Sequence, residues 1–338
     1  MDYKNKTPDS VGLAGVRMYS SSKSFDTNTV IDQFRTALLS DLGFAPSEII
    51  ADGQGHRFST NGKHDNKDGR YILHLDGFKP AGYYECHRQG IKRFWKVSGL
   101  PLEPLTPEQR RYLYMKAQRE RQAEAERLDK QYQRIAERAM SIWRKAEPAS
   151  HVHPYLLRKR VPAYIARVSN QSLLIPLYDL TGKMWSLQFI GADSSKRFLS
   201  GGKKHGLFCP LTCEVYDFAK RGKVLIAEGF ATAATIATLE PDRAVIVAFD
   251  AGNLEPVVDS LIKRYPNLPI EIIADNDRKT ERTLKVNVGL AKAKAVADKH
   301  PQVIIKYPTF PDDAPIELSD VNDLVNWQQQ QETLKGGV

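Results

Sequence analysis

The apolar positions change their period several times along this chain, and each change marks a different kind of element. From Asp26 to Leu42 they recur at helical spacing (Val30, Phe34, Ala37, Leu38, Leu42), and Gly43 stands where a helix C-cap is expected. Residues 49–100 have a different texture. Short apolar and aromatic runs such as 71–75 and 81–84 are broken by Gly, Asn and Asp, which predicts a compact antiparallel module. Thr106-Pro107-Glu108-Gln109 is a helix-start signature with Pro at the first helical position, and it opens a helix reaching about Lys145. Only the second half of that helix carries an apolar stripe (Leu128, Tyr132, Ile135, Ala139, Ile142). The first half is nearly all polar, as a solvent-exposed connector between domains would be. After Pro148 strands and helices alternate. Runs 172–178 and 184–190 flank Asp179-Leu-Thr-Gly182 as a hairpin. The mainly apolar runs 224–227, 244–249, 270–274 and 303–305 are separated by helical stretches near 231–239, 254–265 and 288–299. Buried strands joined through helices of this length predict a mostly parallel sheet with right-handed crossovers.

Composition narrows the class. With 338 residues, 41% hydrophobic and 26% charged, the chain is long enough for two or three cored domains and ordinary for a folded protein. No apolar stretch approaches the roughly 18 residues that span a bilayer, and the start lacks an apolar signal core, so the expectation is a cytoplasmic protein with no membrane partner. Three cysteines fit a reducing compartment better than a disulfide scaffold. The net charge of +9 is unevenly spread: +6 over residues 1–150, +8 over 151–223 and −5 over 224–338. A basic segment running into an acidic one matches a phosphate-binding surface beside a cation-binding carboxylate cluster, although solvated surface charge gives the same totals.

The positions of the acids carry more information. The first three core strands end in Glu228-Gly229, Asp250-Ala-Gly-Asn253 and Asp275-Asn-Asp277, and Asp320-Val-Asn-Asp323 follows the fourth. In parallel sheets chemistry gathers at the carboxyl ends of strands. Carboxylates deposited together there repel unless a cation neutralises them. Oxygen ligands with few His or Cys competitors suit Mg²⁺ or Mn²⁺ over zinc. Asp and Asn also open loops and cap helices, a reading that weakens as four such groups recur at strand ends.

Glu228-Gly-Phe-Ala-Thr-Ala233 resembles the EGYATA motif of the conjugative-plasmid and satellite-phage DNA primases, with Phe230 replacing Tyr. Residues 248–254, 274–277 and 320–323 resemble that family's Toprim domain, the metal-binding fold also used by replicative primases and by type IA and II topoisomerases. Residues 154–159, 187–190 and 196–202 resemble the stretch that precedes it, and His56-Arg-Phe58 with 71–76 resembles the N-terminal module. The resemblance implies an α/β fold: a Toprim-like, mostly parallel sheet with flanking helices, preceded by a basic α+β subdomain and a small N-terminal β-rich module. The expected boundaries are a flexible tail at 1–24, a template-recognition-like module at 25–104, a charged linker helix at 105–147, the basic subdomain at 148–222, the Toprim catalytic domain at 223–328 and a flexible tail at 329–338.

The same resemblance implies a role for each acid. Glu228 is the catalytic residue, as acid/base or as a cation holder, Asp275 and Asp277 are metal ligands, and Asp320 supports them. Gly229, Asp250, Asn253 and Asp323 stand in support. Lys196, Arg197, Lys203 and Lys204 surround the Gly201-Gly202 turn and are expected to grip nucleotide or DNA phosphate, with Arg158 and Lys159 extending the track. Phe198 or Trp185 could stack a base, although a core role suits both. Tyr83, Tyr84, Phe94 and Trp95 interleave with cations in the N-terminal module, a pattern that fits template recognition. His56, His64, His74, Cys86 and His87 lack the paired spacing of a zinc site. No Walker-type phosphate loop occurs, so unwinding is assigned to a separate helicase or other replication protein. The sequence thus points to a primase making short RNA primers from ribonucleoside triphosphates on a single-stranded DNA template. The alternatives are a non-catalytic Toprim-fold nucleic-acid-binding protein and a metal-dependent Toprim nuclease.

Overall fold

The structure, a computed structural model, describes residues 26–62, 67–75, 79–99 and 106–336; the tail expected at 1–24, His64, Asp76 and the last two residues lie outside the described residues. The chain divides into two compact units, Met1–Tyr114 and Met115–Val338.

In the first unit, helix α1 (Thr27–Leu42) begins at Asp26, whose carboxylate accepts from the backbone N–H groups of Asn28 and Thr29, and ends at Gly43 in the left-handed region. Four antiparallel strands follow in spatial order: β1 (His56–Phe58), β2 (Gly69–His74), β3 (Ala81–Cys86) and β4 (Ile91–Lys96). The helix buries Val30, Phe34, Leu38 and Leu42 against one face of the sheet. Gly82 permits this: a Cβ there would sit 2.7 Å from the Phe34 ring and 2.8 Å from the Ile72 carbonyl oxygen. Alternation along the strands then sorts the aromatics. Tyr84 and Trp95 meet Phe34 edge-on in the core, whereas Tyr83 and Phe94 are cross-strand partners on the other face.

Helix α2 (Pro107–Lys145) covers the predicted span and runs from the first unit into the second. Its later half packs Ala136, Ala139 and the Tyr132–Ile142 stripe onto the second sheet. That sheet is antiparallel throughout, in the order β5 (Glu147–Pro148), β6 (Arg167–Ser169), β7 (Ser172–Tyr178), β8 (Met184–Ile190) and β9 (Lys196–Phe198), with the short helix α3 (Pro154–Lys159) between β5 and β6. Asp179 closes the β7–β8 hairpin, accepting from the N–H groups of Thr181 and Lys183 and from the Trp185 indole.

The third sheet positions the acids. Its strands are β10 (Cys209–Pro210), β11 (Val224–Ala227), β12 (Ala244–Val247), β13 (Ile270–Ile273) and β14 (Val303–Lys306), arranged β10-β12-β11-β13-β14. All the pairs are parallel except that of the edge strand β10. Helices α4 (Phe230–Leu239), α5 (Leu254–Arg264), α6 (Arg278–Leu284), α7 (Val288–Lys299) and α8 (Val321–Gly336) complete the unit. The central strands β11 and β12 read as unbroken apolar runs because both faces are covered. Leu225 and Ala227 join the core shared with α4 and the second sheet, whereas Val224 and Ile226 join the core built with α5 and α7.

Two details depart from the sequence reading. The second core strand stops at Val247, because Phe249 adopts a left-handed φ of 77° and breaks the ladder. The segment expected as a tail from residue 329 continues α8 to Gly336. Among the described residues, no helix is long and apolar enough to cross a membrane.

Candidate active site

Register explains why the acids converge. Ala227 at the end of central β11 lies level with Val247 on one side and Ile273 on the other, so the chain leaves three neighbouring strands at one edge. Glu228 follows at once, Asp275 and Asp277 two and four residues past the end of β13, and Asp250 three past the end of β12. The 319–320 segment is tied in by the Asn276 N–H, which donates to the Ser319 carbonyl at 2.7 Å. This brings Asp320 beside Asp275, and Asp320 is among the charges that raise the Asp275 pKa.

The electrostatics of the cluster are those of crowded, desolvated carboxylates. Glu228 is pushed up to about 7, first by burial and then by Asp277 and Asp250, against a hydrogen bond from the Asp275 N–H and the charge of Lys196. Asp275 is pushed up to about 8 by burial and then by Glu228, Asp320 and Asp277, again opposed by Lys196. Asp320 is raised by burial and by Asp323, with Lys159, the Asp323 N–H and the Thr232 hydroxyl working the other way. Glu228 Oε1 and Asp275 Oδ1 are buried without a hydrogen-bond partner. Oxygens left in that state call for a cation or a proton.

This donor set fits a hard divalent cation, which binds oxygen and, in the case of Mg²⁺, needs only one or two carboxylates beside water and substrate phosphate. Among the described residues, no three His, Cys, Asp or Glu side chains stand close enough to hold a metal by themselves. Three of the five zinc candidates have other neighbours. His56 Nε2 lies 2.8 Å from Asp52, His87 faces Glu85, and Cys86 is buried against Thr60.

The basic candidates separate. Lys196 and Phe198 share one face of β9, and Arg197 takes the other. Lys196 acts on both Glu228 and Asp275, and its Nζ lies 3.7 Å from where a Cβ on Gly229 would be. Arg197 lies over the Phe189 ring instead. Lys204 pairs with Asp250 and lies over Phe198, whose ring meets that of strained Phe249 edge-on. A bulky residue at positive φ costs about 1–2 kcal/mol. Lys203 stacks on Trp185, which is itself buried. Arg158 donates to the Ala192 carbonyl and to Ser194 Oγ. Lys159 does not stand open for phosphate: its Nζ lies 2.9 Å from Asp323 and 4.0 Å from Asp320.

Asn253 is structural. Fully buried, it donates to the Leu207 and Ala248 carbonyls and accepts from the Gly206 N–H. Asp323 braces the acid loop by accepting from the Ser319 N–H, while its own N–H donates to Asp320. Gly229 caps the start of α4.

Sequence reasoning missed three contributors. Thr232 donates to Asp320 from within the apolar helix α4. Asn287, buried at the start of α7, accepts from the Asp277 N–H and donates to Asn276 Oδ1. Gly289 abuts the acids so closely that a Cβ would lie 2.9 Å from Glu228 Oε1 and 3.0 Å from the Asp275 carbonyl oxygen. The only signal for the last was a glycine early in a helix.

Residues 223–330 match the Toprim domain. Two proteins of Escherichia coli, both named DNA primase TraC, are 34% identical over 252 residues (73% of this chain, 23% of that protein) and 33% identical over 279 residues (81% and 19%). The chain therefore spans about a fifth to a quarter of the length of these relatives. Among solved structures, the primase fragment of the bacteriophage T7 primase-helicase protein aligns over 53% of this chain and 72% of its own, at 12% identity and a TM-score of 0.39. The DnaG primase catalytic domain bound to ssDNA aligns over 62% and 78%, at 11% identity and a TM-score of 0.40. With acids gathered at the edge of a parallel sheet inside the matched stretch, this chain carries a Toprim domain and is similar in sequence, over most of its length, to proteins named DNA primase.

Proposed function

We propose that this chain is the primer-synthesising part of a DNA primase from a mobile element, joining ribonucleoside triphosphates on single-stranded DNA. The observation that carries the reading is the pair of orphaned, buried carboxylate oxygens on Glu228 and Asp275, within a Toprim-matched stretch of a chain one-third identical to proteins named DNA primase. In the reaction a primer 3′-hydroxyl attacks the α-phosphate of the incoming nucleotide. The new P–O bond forms as the α–β bond breaks, and pyrophosphate leaves. Bound among Glu228, Asp275, Asp277 and Asp320, Mg²⁺ or Mn²⁺ would lower the pKa of the hydroxyl and neutralise charge on the departing pyrophosphate.

The chain's own residues supply the rest. Glu228, with its pKa raised toward neutrality, can take the hydroxyl proton or hold a cation through water. Lys196, facing the acids from β9, is suited to the triphosphate, and Lys204 can exchange Asp250 for a phosphate oxygen. Lys159 keeps Asp320 and Asp323 in position. The module at 25–104 suits template recognition through its open sheet face: Phe94 is 87% exposed beside Tyr83, with Arg70, Lys92 and Lys96 on the same face by alternation. Strand separation falls to a helicase or other replication activity outside these 338 residues, and the work belongs to the cytoplasm.

The test incubates the protein with single-stranded DNA, labelled ribonucleotides and Mg²⁺ or Mn²⁺ beside Glu228→Gln, and resolves products on a denaturing gel. Short labelled products that vanish in the variant are expected. Cut DNA without incorporation would overturn the reading in favour of a nuclease, and DNA binding with neither product would favour a binding protein.

A further inference from the structure

The acid cluster continues directly into a short basic arm that is pinned at both ends. At the start of α6, Arg278 Nη2 donates to the Pro315 carbonyl at 2.6 Å, and its guanidinium lies 4.2 Å over the Phe310 ring. Just past the helix, buried Asn287 accepts from the Asp277 and Leu290 N–H groups and donates to Asn276 and Glu281. Between these anchors Lys279, Arg282 and Lys285 are exposed; the first two, three residues apart, share one side of the helix, and Lys285 stands at its end. Lys279 has an exposed partner in Glu317 at 3.6 Å. Among the described residues, no ion pair engages Arg282 or Lys285, although residues 224–338 carry a net charge of −5. Lys285 ends the helix at a φ of 59°, where glycine is the usual residue. Exposed Val286 and Val288 flank the arm.

We infer that residues 279–288 form a phosphate-gripping arm that holds one nucleic-acid strand beside the reacting centre. Helical rise sets Arg282 about 7–8 Å beyond Asp277, a distance of one or two nucleotides along a strand. Arg282 and Lys285 take successive backbone phosphates, and Val286 and Val288 offer apolar surface to the sugars. A phosphodiester backbone could reach the arm from the single-stranded template or from the primer–template hybrid. This inference rests on the primase reading, so its test measures binding and not synthesis.

The full chain is titrated against a fluorescently labelled DNA single strand, and against the same strand annealed to a short RNA, over a range of salt. For the paired variant Arg282→Glu with Lys285→Glu, affinity should fall about tenfold or more at low salt. The dependence of log K on log salt should flatten by about 1.4, the share of two phosphate contacts on a single strand. Loss confined to the single strand identifies the template as occupant, and loss confined to the hybrid identifies the product. Lys285→Gly should raise the melting temperature while weakening binding, because glycine relieves the left-handed turn as the cation is lost. Wild-type binding that survives both variants with unchanged affinity and salt slope overturns the arm. Failure of the wild type to bind either nucleic acid overturns the primase reading itself.

Discussion

Replacing Glu228 by Gln should abolish synthesis and yet stabilise the metal-free protein. Glu228 is raised from its ordinary 4.5 to about 7, mainly by burial and then by Asp277. At about 1.4 kcal/mol per tenfold, holding it ionised in the folded state costs about 3 kcal/mol above pH 7. Gln removes that cost and relieves Asp275, which Glu228 repels. The hydrogen bond from the Asp275 N–H loses its charged acceptor, and this offsets about 1 kcal/mol. The net gain is about 2 kcal/mol, or about 4–8 °C for a unit of this size. The sign with pH follows from a raised acid. The folded state holds the proton more tightly than the unfolded one, so the penalty is absent below about pH 4.5, grows through pH 7 and is complete above it. Thermal unfolding in chelator should therefore show the variant and the wild type nearly level near pH 5, with the variant ahead near pH 8. Added Mg²⁺ should lift the wild type more than the variant and close the gap. A gap independent of pH, or a variant that melts below the wild type near pH 8 in chelator, would refute the argument.

Gly289→Ala should cost at least tenfold in synthesis and shift the Mg²⁺ requirement upward, although alanine in a helix interior ordinarily gains about 1 kcal/mol, because the new Cβ meets Glu228 Oε1 and the Asp275 backbone; a metal titration of activity checks it. Lys159→Met leaves Asp320 and Asp323 without their cation and should destabilise by about 2 kcal/mol near pH 8, a deficit that shrinks toward pH 5 as Asp320, already raised by burial, takes up a proton; melting curves at the two values decide it. Phe94→Ala should leave the melting temperature unchanged, since the ring is 87% exposed, and should weaken single-stranded DNA binding about tenfold by anisotropy.

The run of residues by itself determined the elements and their order. Continuous apolar runs followed by acids require strands covered on both faces, and β11 and β12 are such strands. The long helix was legible from its cap signature and its half-length stripe, and the Toprim stretch from the resemblance of its acid-bearing motifs to that domain. Periodicity, however, reports only which face of an element is buried, and says nothing of which charge meets which. Only the strand order β10-β12-β11-β13-β14 sets Glu228 between Asp250 and the Asp275–Asp277 pair. Only the alternation of β9 beside that edge turns Lys196 toward the acids and Arg197 away, residues that are indistinguishable in sequence. Lys159 finds Asp320 and Asp323 across most of the second unit, the closeness of α7 reserves position 289 for glycine, and packing against α1 draws Tyr84 and Trp95 inward while leaving Phe94 outside. Burial is encoded locally by the period of a segment, whereas the pairing of charges depends on distances that exist only once remote segments have packed together.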